Sequence, residues 1–342
     1  MAAILVTGGA GYIGSHTCKA LRRAGFDPIT YDNLGRGNPE AVKWGPLEVG
    51  ELADKAHLRE TLARYRPLAV IHFAAFAYLG ESNTEPALYY QNNVGGTAAL
   101  LDALRESKID KVVFSSSCAV YGAPASVPIV EETQMAPLNP YGTTKMICER
   151  MLQDCALAFP LRYIALRYFN AAGADPDGEI GECHVPETHA IPLLLEAAAG
   201  ESPAFTIYGE DYPTADGACV RDYIHVADLA DAHVKATRAL LEGAESTAFN
   251  LGTERGWSVR ELIRTIREVT GRDVPIIVGG RRPGDPPTLV ANAARVRHQL
   301  DWRPRYPDIA TQVRHAWAWR QGDCRTWSRM RTQSAAATVS QS

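Results

Sequence analysis

The sequence predicts an α/β protein: a Rossmann-type doubly wound parallel sheet followed by a smaller α/β substrate-binding domain. Two observations carry this. Short apolar runs alternate with stretches of helical spacing through the first half, and a cluster of glycines separates the first apolar run from the first helix. Repeated strand–helix–strand units build a parallel sheet with helices on both faces.

Ala3–Thr7 is a short apolar run ending in glycines, the pattern of a buried parallel strand. Tyr12–Ala24 has helical spacing and stops at Gly25. Pro28–Tyr31 reads as a second strand, Leu58–Tyr65 as a helix and Ala69–Phe73 as a third strand. Val94–Glu106 is a helix and Lys111–Ser116 a strand. Tyr141–Ala158 is a long helix with Pro140 near its first turn, where proline is tolerated. Arg162–Arg167 is a further strand. In the second half Ile191–Ala199, Val226–Leu241 and Val259–Thr270 have helical spacing, and Ser258 suits the N-cap of the last. Between them lie loops rich in Gly, Pro and Asp at Ala174–Pro186, Gly209–Gly217 and Gly280–Pro287. The expected division is a dinucleotide-binding domain at 1–175, with later segments crossing back, a substrate domain at 176–321, and a flexible tail at 322–342.

Of the 342 residues 46% are hydrophobic, enough for a sizeable core. The formal net charge is -4 and no long basic run occurs, which argues against nucleic acid as a partner. No stretch approaches the roughly 18 consecutive apolar residues of a membrane span. The N-terminus lacks the charged and apolar regions of a signal peptide. The 7 cysteines are scattered without a C-x-x-C pair, which suits free thiols in a reducing compartment. A cytoplasmic location is therefore expected.

Gly8-Gly9-Ala10-Gly11-Tyr12-Ile13-Gly14 follows the first strand and opens the first helix. Small residues there allow a tight turn and close approach of the backbone to a pyrophosphate, and the helix N-terminus faces the anion. An ordinary glycine-rich turn carries the same residues, so the context of strand before and helix after gives the motif its meaning. Asp32 ends the second strand, 18 residues past Gly14. A carboxylate there accepts hydrogen bonds from ribose hydroxyls and repels a 2′-phosphate, which favours NAD over NADP. Arg36, close in sequence, works against that preference.

Tyr141 and Lys145 are four residues apart on one helix, hence on one face. A free tyrosine has a pKa near 10, and a neighbouring ammonium, together with the positive nicotinamide ring of a bound dinucleotide, favours its phenolate. Bringing the phenol to neutrality takes about 4 kcal/mol of differential stabilisation. Such pairs also occur on solvated helix faces. Phe114-Ser115-Ser116-Ser117 adds hydroxyls at the carboxyl end of a strand, where open α/β sheets hold their ligands.

Taken together, Thr7–Gly14, Asp32-Asn33-Leu34, Val70–Ala75, Asn92-Asn93-Val94, Phe114–Gly122, Tyr141–Lys145 and Arg167–Asn170 resemble the extended short-chain dehydrogenase/reductase family. Ser115–Gly122, Val220–Val226 and Arg281–Asp285 are similar to the sugar-nucleotide 4-epimerases within it. The resemblance runs from about Ala3 to about Gln321.

It implies NAD as cofactor, a UDP-sugar as substrate and a homodimer. The implied activity is interconversion of UDP-galactose and UDP-glucose, part of galactose metabolism. A transient 4-keto sugar would turn on its diphosphate tether before reduction on the other face. The resemblance makes Tyr141 the base, Lys145 its electrostatic partner and ribose ligand, and Ser117 a hydrogen-bonding helper. Residues implied to hold NAD are Gly8, Gly11, Tyr12, Ile13, Gly14, Asp32, Asn33, Glu51 and Leu52. Phe73, Ala74, Ala75, Asn92, Ser115, Tyr141, Lys145 and Tyr168 complete that set. Ser117, Tyr141, Asn170, His189, Tyr208, Arg221, Arg282 and Asp285 are implied to hold the UDP-sugar; for the diphosphate, arginine forks match phosphate oxygens.

Three positions depart from the family pattern. Glu51 stands where many relatives have Asp, Cys118 replaces Ala beside Ser117, and Ala77 replaces the Lys of some members. Cys118 is expected to be a packed thiol without a chemical task. A sugar-nucleotide 4,6-dehydratase needs an acid and a base where this chain has Cys118 and Ala119. UDP-GlcNAc or UDP-xylose/UDP-arabinose epimerisation stays open, since Leu289, the candidate for gating sugar bulk, is of intermediate size. A non-catalytic NAD-binding protein on the same fold would have had no need of Tyr141 and Lys145. Cys183, His184 and His189 share a loop with His225 elsewhere, a spacing that matches no common zinc pattern, so no metal is expected.

Overall fold

A computed structural model of the chain describes residues 2–322 apart from 283. Beyond Gly322, the expected tail lies outside the described residues. The strands are β1 (Ala2–Thr7), β2 (Phe26–Asp32), β3 (Leu47–Val49), β4 (Ala69–His72), β5 (Lys111–Ser117), β6 (Arg162–Tyr168) and β7 (Asn170–Ala172). They continue with β8 (Phe205–Tyr208), β9 (Val220–His225), β10 (Thr247–Leu251), β11 (Gly256–Ser258), β12 (Ile276–Gly279) and β13 (Thr288–Leu289). The helices are α1 (Tyr12–Arg23), α2 (Lys55–Tyr65), α3 (Leu79–Thr84), α4 (Pro86–Tyr89), α5 (Gly96–Ser107) and α6 (Pro140–Ala158). After them come α7 (Ala190–Ala199), α8 (Val226–Leu241), α9 (Val259–Thr270), α10 (Ala294–Leu300) and α11 (Ile309–Gln321).

Seven strands form one all-parallel sheet in the order β10-β6-β5-β4-β1-β2-β3. Side chains alternate between its faces. Ile4 and Val6 of β1 pack with Leu21 of α1 and Leu229 and Leu240 of α8 on one side. Leu5, between them, packs with Leu58 of α2, Leu100 and Leu104 of α5 and Leu152 of α6 on the other. This two-sided burial explains why β1 and β4 read as continuous apolar runs. The strand order reverses between β1 and β4, and at such a switch point the carboxyl ends of the strands frame a crevice. Thr7 pairs with both Tyr31 and His72 in register, so β1, β2 and β4 end side by side at that crevice.

The second half supplies β10, α8 and α10 to this layer, with Val296 and Trp302 in its core, and builds a separate one from most of the rest. There β9 pairs with β7, β11 and β13, while β8 pairs with β12. A third core of Leu194, Leu195, Tyr223, Ile263, Ile266 and Val313 holds α7, α9 and α11 to those strands. Strands of two or three residues such as β13 and β11 are too short for alternation to show in a sequence.

Local signals place several ends. Asn139 caps α6 by accepting from Gly142 N at 2.8 Å, and Pro140 opens the helix one residue earlier than the spacing predicts. Ser258 caps α9 as expected and forms a capping box: Glu261 N donates to its hydroxyl at 3.0 Å, and its own amide donates to the Glu261 carboxylate at 2.8 Å. The helix expected from Val94 begins at Gly96, because Tyr90–Gly95 winds as a π-helical turn. Among the described residues no helix is long and apolar enough to cross a membrane. The six described cysteines are free thiols.

Candidate active site

The crevice at the carboxyl ends of β1, β2, β4 and β5 deepens into a cavity of about 400 Å³ bounded on the far side by β7, β9 and β13. Its first wall is the turn between β1 and α1. Gly8 has φ +71°, and a Cβ on it would stand 2.6 Å from Ala74 N. A Cβ on Gly14 would stand 2.2 Å from the Gly8 carbonyl oxygen. Side chains are thus excluded at both positions by backbone. Helix α1 opens on Gly11 without a side-chain cap and without an acidic residue in its first turn, so its positive end faces the crevice.

Asp32 closes β2 beside that turn. One carboxylate oxygen accepts from Ala10 N at 3.0 Å and the other from Leu34 N at 2.8 Å, which locks it at the lip of the crevice. Arg36 lines the same crevice. Its guanidinium ion-pairs with Glu81 at 2.7 Å and lies over the rings of Phe76 and Tyr78, 4.0 and 4.7 Å from their centres. Glu51 lines the crevice and accepts from Asn33 Nδ2 at 3.0 Å.

The second wall carries the reactive groups. Helix α6 crosses the end of β5 so that Tyr141 and Lys145 both face inward, and both are buried. Lys145 Nζ donates to the Ser115 carbonyl oxygen at 2.7 Å and lies 5.9 Å from the centre of the Tyr141 ring. Burial brings the Lys145 ammonium down to about 8, with Cys148 and Glu149 opposing. Burial also pushes the Tyr141 phenol well above its usual range, and Tyr168 adds to this; a hydrogen bond with Ser117 opposes it. Ser117 Oγ accepts from Ala119 N at 3.1 Å, which fixes the hydroxyl at the strand end. Ser115 Oγ and Tyr168 Oη meet at 2.7 Å. Ser116 points to the opposite face, to the buried Glu149–Arg167 ion pair.

Nearly all residues singled out from the sequence line this one cavity. Gly8, Gly11, Tyr12, Ile13, Gly14, Asp32, Asn33, Glu51, Leu52, Phe73, Ala74, Ala75 and Asn92 stand on the glycine-rich side. Ser115, Ser117, Tyr141, Lys145, Tyr168, Asn170, His189, Arg221 and Asp285 stand on the other. Arg282 and Tyr208 are not part of the lining. The Arg282 guanidinium stacks over the Tyr208 ring, 4.1 Å from its centre, and both side chains are exposed. Arg221 is buried and ion-paired with Asp285, so its charge enters the cavity already matched. Cys118 lines the cavity as a packed thiol raised to about 12, chiefly by burial.

Three residues to which the sequence assigns no role in the site are also placed at it. Asn93 accepts from Phe76 N at 2.8 Å and donates to Phe76 O and Thr144 Oγ1, both at 3.0 Å, tying the loop after β4 to α6. Glu182 and His184 enter the cavity beside His189. Burial opposes ionisation of Glu182, but His189 and His184 hold its carboxyl low; burial likewise opposes charge on His189, but Glu182 and Glu187 hold its imidazole high. A loop without periodicity gives no sign of this grouping.

The fold and cavity define a dinucleotide-dependent protein of the short-chain dehydrogenase/reductase type, with a glycine-rich turn and a tyrosine–lysine pair at opposite walls of one cleft. Residues 4–252 match the NAD dependent epimerase/dehydratase family, and the chain belongs to it. A UDP-glucose 4-epimerase of Rhizobium meliloti (strain 1021) is 55% identical over 316 residues, covering 92% of this chain and 96% of the relative. The crystal structure of UDP-glucose 4-epimerase from Brucella ovis in complex with NAD superposes with a TM-score of 0.91 at 53% identity, over 93% of this chain and 98% of that one. The enzyme of that name from Bifidobacterium longum, in complex with NAD+ and UDP, gives 0.89 at 36% identity, over 93% and 98%.

Proposed function

We propose that this chain is a UDP-glucose 4-epimerase, interconverting UDP-galactose and UDP-glucose with resident NAD. The observation that carries the reading is the pair of walls just described, with Tyr141 and Ser117 set across one cavity from an uncapped helix start and a side-chain-free turn.

The residues present fit NAD. The turn at Gly8 and Gly14 leaves backbone room for a pyrophosphate, and the first turn of α1 offers unengaged positive dipole. Asp32 suits ribose hydroxyls and disfavours a 2′-phosphate, and the Arg36 guanidinium is ion-paired through Nη2 with Glu81. Leu52, Phe73, Ala74, Asn92 and Tyr168 complete that side. When bound, NAD supplies hydride uptake and return at the sugar carbon and a positive ring that favours the phenolate.

This chain's own residues do the rest. Tyr141 takes the proton of the C4 hydroxyl and later gives it back on the other face. Ser117 holds that oxygen and the phenol in one hydrogen-bonded line. Lys145, pinned at Ser115, supplies a fixed positive centre beside the phenol and a donor for ribose hydroxyls. Asn170, Arg221, Asp285 and His189 hold the uridine diphosphate and sugar, with Arg282 and Tyr208 joining once their stacked side chains swing inward. Binding energy at the nucleotide end retains the oxidised sugar while it turns. Residues 1–175, with β10 and α8 returned to them, form the dinucleotide half, and 176–321 the sugar-nucleotide half. A cytoplasmic homodimer acting in galactose metabolism completes the proposal.

Dehydration finds no support, since Cys118 and Ala119 bring neither acid nor base to the cavity. Leu289 lines the cavity and is buried, so a 2-acetamido group meets a side chain of intermediate bulk. Separate incubations with UDP-galactose, UDP-GlcNAc and UDP-arabinose test the substrate. Rapid conversion of UDP-galactose, with slower conversion of the others, is expected. Conversion of UDP-GlcNAc or UDP-arabinose alone would refute UDP-galactose as the substrate.

A further inference from the structure

We propose that Glu182, His184, Glu187 and His189 form a binding site for a divalent transition-metal ion of the zinc type, at the edge of the cavity. Each of the four offers one ligand atom, and these atoms lie within 4.8 Å of one another. His189 Nδ1 is 2.8 Å from Glu187 Oε1 and 2.9 Å from Glu182 Oε1. His184 Nδ1 is 3.1 Å from Glu182 Oε1 and 4.0 Å from a Glu187 oxygen. Zinc bonds of about 2.0–2.2 Å to imidazole nitrogen and carboxylate oxygen place neighbouring donors of a tetrahedron roughly 3.4 Å apart. The four separations above, from 2.8 to 4.0 Å, bracket that spacing, and the remaining donor pairs lie within 4.8 Å, so an ion would draw the four side chains toward it.

The surroundings act as a supporting shell. The amides of Thr188 and His189 both donate to Glu187 Oε1 at 2.7 Å, which orients that carboxylate. The side chains of Glu182 and Glu187 are each only 7% exposed, so the acceptors are built into the wall rather than waving in solvent. The two imidazoles are tilted at 38° with ring centres 5.2 Å apart, and the rings of Tyr12 and Tyr78 meet His184 edge-on at 6.3 and 5.9 Å. Imidazole ligands suit zinc, copper, iron and nickel rather than calcium or magnesium.

In sequence, Cys183 and His225 form no common zinc pattern with the two histidines, which leads one to expect no metal. The structure turns Cys183 into a small apolar core with Ala174, Ile180 and Trp319, and puts two glutamates in the places that count. The site stands on this geometry whether or not the chain is an epimerase.

The test uses the full chain as purified, with its dinucleotide, after treatment with a chelator. Co2+ is expected to give the intense visible bands of a tetrahedral nitrogen/oxygen site, and Zn2+ to bleach them. His184→Ala and Glu182→Gln should each weaken Zn2+ at least about tenfold, whereas His298→Ala, on the surface, should not. Anomalous diffraction at the zinc edge, from crystals of the unmutated protein soaked in Zn2+, should place the ion among the four side chains. Absence of tetrahedral bands, equal zinc affinity in wild type and both site variants, or an anomalous peak elsewhere would each overturn the proposal.

Discussion

Lys145 donates from Nζ to the Ser115 carbonyl oxygen at 2.7 Å rather than to the Tyr141 phenol, although the two side chains sit one helical turn apart. The contact joins α6 to the end of β5 and fixes the ammonium 5.9 Å from the phenol ring centre. In the protein by itself, burial dominates both groups: the phenol is held neutral and the ammonium comes down to about 8. Desolvation of the phenol outweighs one cation at this distance, in keeping with the two cations, ammonium and nicotinamide ring, that the sequence leads one to expect beside it. A further positive charge in the cleft is required to produce the phenolate.

Tyr141→Phe removes the proton carrier without opening a cavity. Turnover of UDP-galactose should fall about 10²- to 10⁴-fold, while thermal unfolding followed by circular dichroism stays near that of the unmutated protein. Near-normal turnover would remove Tyr141 from the mechanism.

Lys145→Met probes the cost of the buried ammonium. With a folded value of about 8 against an ordinary 10.5, the unfolded chain holds more protons than the native one between those values. The penalty is thus fully present below pH 8 and fades as pH rises to 10.5. Removing it is worth about 3 kcal/mol, less about 1 kcal/mol for leaving the Ser115 carbonyl unpaired. The variant should be more stable than the unmutated protein below pH 8, with the gap closing as the pH approaches 10.5, measured by urea midpoints across that range. A pH-independent difference would contradict the assignment.

Gly14→Ala tests the turn that opens α1. Its Cβ would meet the Gly8 carbonyl oxygen at 2.2 Å, backbone against backbone, so the turn must open. A loss of about 3 kcal/mol in urea unfolding is expected, together with loss of the dinucleotide from the purified protein. Gly25→Ala is the comparison: space is open there, and the cost is confined to a backbone at φ +88°.

How much of this was legible in the sequence follows from the range of each signal. The β1–α1 turn, Asp32 and the Tyr141–Lys145 spacing are local, and local steric and capping rules read them directly. Pro140 marks the start of α6 to within one residue for the same reason, while the Asn139 cap emerges only in the structure. β3 has three residues, none of them buried, so no apolar run marked it. The grouping of Glu182, His184, Glu187 and His189 depends on the path of one irregular loop, which carries no period. Arg282 lies beside the expected diphosphate site in sequence, yet its guanidinium takes the nearer aromatic face of Tyr208. A long side chain's choice between two partners is settled by tertiary contacts, not by spacing.

The central claim is that one sugar carbon is oxidised and re-reduced inside this cavity by groups that never exchange their hydride with water. Proton nuclear magnetic resonance of UDP-galactose incubated with the purified protein in deuterium oxide tests it directly. UDP-glucose should accumulate to equilibrium with ordinary hydrogen retained at C4. Failure to form UDP-glucose, or deuterium at C4 of the product, would contradict it.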